Sequence, residues 1–160
     1  MICVLGLGNV LMGDDGVGPA VVNAFEADYT VGPDVQVVDL GTPGLDVLPW
    51  LADIDRVILV DTVKTDLPPG TLRIYDKADL LRHVPMARIG PHDPGVKEAL
   101  LALEFAGRAP GEVVVIGVVP ERTEIALDLT PSVAAAVPLA VAAIRETLAR
   151  FGAAPTRRVQ

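Results

Sequence analysis

The sequence predicts an α/β sandwich: a mainly parallel central sheet of about five strands, one of them an antiparallel edge, with helices on both faces. Three observations point there. Four short runs, Ile2 to Leu7, Val35 to Val38, Val57 to Val60 and Val113 to Val119, are apolar and rich in β-branched residues. None alternates apolar with polar side chains, so each needs cover on both faces, the habit of parallel strands joined by crossover helices. Between the runs lie segments with helix-start and helix-stop residues.

The elements follow in order. Ile2 to Leu7 reads as a buried strand, and Asp15 to Ala27 as a helix with an acidic start and Pro19 in its first turn. Val35 to Val38 and Val57 to Val60 are strands that run into Asp39 and Asp61. Thr71 to Tyr75 is more polar and fits an edge. Asp93-Pro94 offers an N-cap followed by proline at the first helical position, with Gly107 as the stop. Thr130-Pro131 repeats that start before a long helix ending near Phe151-Gly152, and Pro138 inside it is expected to kink or divide it. Gly41-Thr42-Pro43-Gly44 and Pro68-Pro69-Gly70 are turns. Residues 1–152 are expected to form a single domain and residues 153–160 a loose tail.

A chain of 160 residues, 51% hydrophobic and 21% charged, can build a sizeable core and is not a disordered type. Thirteen basic against twenty-one acidic residues give a net charge of −8, which argues against a nucleic-acid partner. Cys3 is the single cysteine, so no intrachain disulfide is available. Mean hydropathy is high at +0.45. The uncharged stretch from Leu129 to Ile144 nevertheless falls short of the ~20 residues of a spanning helix, and it contains Pro131 and Pro138. The apolar start runs into Asp14-Asp15 with no basic residue before it, unlike a signal peptide. The expectation is a cytoplasmic protein with no membrane insertion.

Ligands of open α/β sheets collect at the carboxyl ends of the strands. After the first strand comes Gly6-Leu7-Gly8-Asn9-Val10-Leu11-Met12-Gly13-Asp14-Asp15-Gly16-Val17-Gly18. A dinucleotide fingerprint would need a third glycine where Leu11 stands. Two carboxylates where a pyrophosphate should dock would also repel it. One of the aspartates is expected to cap the following helix, leaving the other to bind a cation. Asp61 at a strand end suits either a crevice carboxylate or a loop-ordering one, and Asp39, followed by Leu40-Gly41-Thr42, suits a turn. His83 reads as a surface histidine. His92, between Pro91 and Asp93, suits a structural or solvated loop histidine, or one expected on the same rim as Asp15 and Asp61. Two carboxylates and an imidazole form an open donor set acceptable to nickel, zinc, cobalt or manganese.

These residues resemble the hydrogenase maturation endopeptidases, which trim a C-terminal extension from the large subunit of nickel–iron hydrogenases once nickel is inserted. The resemblance spans about Ile2 to Phe151. Its most specific part is Gly6-x-Gly8-Asn9-x-Leu11-x-x-Asp14-Asp15-Gly16-x-Gly18. Asp39-x-Gly41-Thr42-x-Gly44, Val60-Asp61, Pro91-His92-Asp93, Gly117-x-x-Pro120-Glu121 and Leu129-Thr130-Pro131 follow in the family's order. The resemblance implies a three-layer α/β/α sandwich, with Asp15, Asp61 and His92 as metal ligands and catalytic residues. Position 15 is Glu in some members and Asp in others. Asp39, Gly41 and Thr42 fall where the family builds part of its substrate cleft.

What the resemblance implies for activity is a peptidase whose metal is nickel already bound in the large-subunit precursor, with other divalent transition metals as substitutes. The metal would polarise the scissile carbonyl or activate water; alternatively a carboxylate is the general base and the ion only positions the substrate. Cys3 lies far from the strand ends, so a thiol nucleophile has no support. The competing readings are a nickel-sensing chaperone that binds the precursor without cutting it and, less favoured, a nucleotide-binding enzyme. A monomer is expected.

Overall fold

A computed structural model describes residues 1–82 and 95–159. Among the described residues, seven strands and five α-helices run in the order β1 (Ile2–Leu7), α1 (Val17–Asp28), β2 (Tyr29–Thr30), β3 (Val35–Gly41), α2 (Leu48–Leu51), β4 (Arg56–Thr62), β5 (Leu72–Asp76), α3 (Lys77–Arg82), α4 (Val96–Ala106), β6 (Glu112–Val118), α5 (Pro131–Arg150) and β7 (Thr156–Arg157). Short 3-10 turns, Gly13–Gly16 and Gly44–Val47, precede α1 and α2.

The main sheet has five strands in the order β3-β1-β4-β6-β5. All neighbours are parallel except β5, which runs antiparallel to β6 at the edge, as its polar sequence predicts. Side-chain alternation divides the core into two layers. Ile2 and Val4 of β1 with Ile58 and Val60 of β4 face Val21, Val22 and Phe25 of α1 and Ile144 and Leu148 of α5. Cys3, Leu5 and Leu7 with Val57 and Leu59 face Leu51, Leu80, Leu100 and Leu103 on α2, α3 and α4. Each fully buried aliphatic side chain contributes about 1.5–3 kcal/mol. Both faces being covered is why the strands could be apolar throughout.

Several elements depart from the expectations. Residues 13–16 form a 3-10 turn, so α1 begins at Val17, with Gly16 as an N-cap that makes no side-chain hydrogen bond. Asp93-Pro94 lies outside the described residues, and α4 is capped by Gly95; its stop at Gly107, in the left-handed conformation, is as predicted. Pro138 does not divide α5, which continues from Pro131 to Arg150. By length and composition α5 could cross a bilayer, yet Val133, Ala136, Ala140, Ile144 and Leu148 are buried in the core. Residues 156–158, expected to be loose, are tied down. Thr156–Arg157 pairs with Tyr29–Thr30, and the Arg158 side chain donates to the Glu26 carbonyl at 2.7 Å.

Glycines set how closely α1 approaches the sheet. A Cβ on Gly18 would lie 2.1 Å from the Leu7 carbonyl oxygen and 2.5 Å from that of Val60. A Cβ on Gly6 would lie 2.7 Å from the Gly18 carbonyl oxygen. The start of α1 therefore rests on the backbone of β1 and β4 with no room for a methyl group. Gly18→Ala is expected to lose at least ~3 kcal/mol in urea denaturation, because backbone must move. Gly32→Ala, whose new methyl meets nothing within 4 Å among the described residues, should stay within ~0.5 kcal/mol of the parent.

Candidate active site

From β1 the chain turns to β3 on one side, and from β4 it proceeds to β6 on the other. The carboxyl ends of β1 and β4 are thus the point where the winding reverses, the place where open sheets leave a crevice. Gly6 pairs with Val60 there, and Asp61 is the next residue on β4. Asp15 enters from the turn after β1, which packs against β4. A Cβ on Gly8, at φ +150°, would sit 1.9 Å from the Asp15 carbonyl oxygen, so that turn folds tightly onto the strand end.

Both carboxylates are buried and held by backbone donors. Asn9 N–H donates to Asp15 Oδ2 at 2.9 Å, while Asn9 Oδ1 accepts from Leu11 N–H at 2.9 Å and fixes the turn. Thr62 N–H donates to Asp61 Oδ1 at 2.8 Å. The Thr62 hydroxyl is buried without a hydrogen-bond partner among the described residues. Sequence reasoning placed Asp15, Asp61 and His92 on one rim. The structure puts the two aspartates there, whereas His92, like His83, lies outside the described residues. Among the described residues no three metal-donor side chains gather into one site.

Asp39 is exposed at the end of β3, and its Oδ1 accepts from Gly41 N–H at 3.0 Å. That is the turn-making role open to it. Gly41, at φ +60°, offers its carbonyl to Gly8 N–H at 2.8 Å, which fastens this turn to the β1 loop. Thr42 follows, exposed. Of the three, Gly41 is the one joined by a hydrogen bond to the loop after β1. Cys3 is buried in the second core layer, and burial pushes its thiol up, away from the thiolate a nucleophile needs.

The residue whose role sequence reasoning missed is Asp14. It does not cap the helix that follows it. Its fully buried carboxylate accepts four hydrogen bonds from the β6–α5 loop and the start of α5: Glu121 N–H and Arg122 N–H at 2.9 Å, Thr130 N–H at 2.7 Å and Thr130 Oγ1–H at 2.8 Å. Asp14 thus satisfies the amide and hydroxyl of Thr130, the N-cap residue of α5, and two amides of the loop before it. Isolating a carboxylate from water costs several kcal/mol, but each charged hydrogen bond returns about 1.5–3 kcal/mol, so four of them prevail. Burial pushes the Asp14 carboxyl up, yet the bonds from Arg122, Thr130 and Glu121 outweigh it and hold the group below its ordinary value. The signal was present, since Asp14, Glu121 and Thr130 all stand in the motifs that carry the resemblance.

Because the folded value is depressed, this stabilisation is complete above the unfolded carboxylate range, near pH 4, and is lost as pH falls through the folded value. Asp14→Asn sets an amide N–H₂ against backbone N–H donors. At neutral pH it should cost about 2–4 kcal/mol in urea denaturation. The gap to wild type should narrow as pH falls below about 4; an unchanged gap in acid would contradict the ionised clamp.

The geometry has counterparts among known proteins. A family model described as hydrogenase maturation protease matches residues 19–147. The hydrogenase 2 maturation protease of Escherichia coli is 35% identical, over 91% of this chain and 92% of that protein. The hydrogenase expression/formation protein HoxM of Cupriavidus necator is 33% identical, over 99% of this chain and 79% of its own length. Among solved structures, the hydrogenase maturating endopeptidase HybD from E. coli superposes with a TM-score of 0.89 at 32% identity, covering 98% of this chain and 97% of that one. A hydrogenase 2 maturation peptidase from a Thaumarchaeota archaeon gives 0.71 at 33% identity, covering 92% and 97%. The extended match to the family model, from within α1 to within α5 and including Asp61, together with these relatives, makes this chain a peptidase of the hydrogenase maturation protease family.

Proposed function

We propose that the chain removes the C-terminal extension of a nickel–iron hydrogenase large-subunit precursor after nickel insertion, and that it recognises the precursor through that nickel. The observation that carries the reading is the burial of two aspartates, Asp15 and Asp61, at the switch point of the sheet. The ion belongs to the substrate. Carboxylate oxygens and an imidazole form a donor set that nickel accepts, and other divalent transition metals would fit it as well. Asp15, Asp61 and His92 would reach the ion from the crevice, with Asp39, Gly41 and Thr42 bordering the bound peptide.

Asp15 and Asp61 each receive a backbone N–H, so both carboxylates are oriented before a substrate arrives, which lowers the reorganisation needed at the reacting centre. The ion would polarise the scissile carbonyl or activate water there; alternatively, one of the carboxylates would serve as general base and the ion would only position the substrate. A chaperone that senses nickel without cutting is the outcome against which this reading is tested.

Processing of a nickel-loaded precursor should fall by at least about a hundredfold in Asp15→Asn, Asp61→Asn and His92→Ala, on the scale of losing a catalytic acid–base or ligand group. The three variants should retain the circular dichroism spectrum of the parent. Wild-type rates in any one of them would remove that residue from the site, and binding without cleavage by the wild type would favour the chaperone.

A further inference from the structure

Beside the rim that carries Asp15, two loops hold large apolar side chains in solvent. Val10 and Leu11, between β1 and α1, are 52% and 56% exposed; Ile125 and Leu127, between β6 and α5, are 87% and 80% exposed. The loops are stitched together by backbone. Ala126 N–H donates to the Leu11 carbonyl at 3.1 Å, Gly13 N–H donates to the Ala126 carbonyl at 2.9 Å, and Met12 bridges Ala126 in parallel. The residues flanking Ala126 therefore neighbour those preceding Met12. A single exposed Leu or Ile is ordinary, but four on two joined loops make a patch of the kind that marks an interaction site.

Two further features define what the patch takes. Asp14 anchors both loops from beneath, so the apolar side chains stand on fixed backbone and docking orders little new chain. The β6–α5 loop also exposes Glu121, Glu124 and Asp128 against one base, Arg122, in a chain of net charge −8. An acidic border around an apolar centre complements an apolar segment with basic flanks.

We propose that this patch docks an apolar, Lys- or Arg-flanked segment of the same precursor that the crevice processes, a proposal that rests on the protease reading above. The patch supplies affinity outside the bond being cut. Because the loop bearing Val10 and Leu11 also bears Asp15, docking there brings the substrate to the crevice in one orientation.

The probe is a nickel-loaded large-subunit precursor, with affinity read by biolayer interferometry and cleavage by steady-state kinetics. The pair Ile125→Asp and Leu127→Asp, both at exposed positions, should weaken binding and raise KM about tenfold or more while kcat changes less than twofold. The pair Glu124→Lys and Asp128→Lys should weaken binding about threefold at low salt and flatten its salt dependence. It tests the border even if the first pair fails to fold. Kd and KM within twofold of wild type in both pairs would overturn the proposal. So would a wild-type dimer, seen by sedimentation, that the first pair converts to monomer with precursor affinity unchanged. Wild type that binds without cutting would sink the protease reading and leave the patch to be judged by affinity alone; wild type that does neither overturns both.

Discussion

The buried Asp14 carboxylate joins stretches of chain 107 to 116 residues apart. One side chain gathers the turn after β1, the loop after β6 and the N-cap residue of α5, and it does so where water is excluded. The arrangement is all-or-none. With its four donors in place the charge is stabilised, and with one acceptor lost several buried donors are orphaned together. Neighbouring Asp15 owes its position to the same turn, held on its other side by Asn9. The rim that carries Asp15 and the exposed apolar loops therefore share one internal support.

The glycines before it show how similar sequences serve different chemistry. Gly6 and Gly8 begin like a phosphate-binding loop, in which the backbone must approach a pyrophosphate. Here the close approach is made by protein. Gly18 lies against the carbonyls of Leu7 and Val60, and Gly8 against that of Asp15. The helix N-terminus is brought to the strand ends to deliver carboxylates instead of an anion-binding cradle. Asp15 and Asp61 give the crevice negative charge where a phosphate-binding loop offers N–H donors, which argues against a nucleotide as ligand together with the leucine at position 11.

Much of this was legible. Buried strands leave unbroken apolar runs, so β1, β4 and β6 could be read within a residue or two, and the polar sequence of β5 revealed its edge position. Asp15 and Asp61 could be placed on one rim because parallel sheets present all their carboxyl ends together. Less was legible where distant partners decide. The β2–β7 ribbon has two residues per strand, too few for periodicity to register, so the tail that forms it read as loose. The choice of Asp14 to serve α5 and not α1 depends on a loop more than a hundred residues downstream, which no local capping rule anticipates. Pro138 read as a break because propensity ignores the core contacts of α5, where Val133, Ala136, Ala140, Ile144 and Leu148 hold the helix on the sheet.

Family membership makes the chain a peptidase; the proposed dependence on nickel makes it a checkpoint, cutting only after the metal is in place. In that proposal the two buried carboxylates at the switch point would provide oxygen donors, already oriented by backbone N–H groups, to an ion that arrives bound to another protein. The most direct measurement is intact mass spectrometry of nickel-loaded and nickel-free large-subunit precursors, each incubated with the wild-type chain. Loss of a C-terminal peptide from the loaded form alone is the predicted result. Equal cleavage of both forms, or of neither, would contradict it.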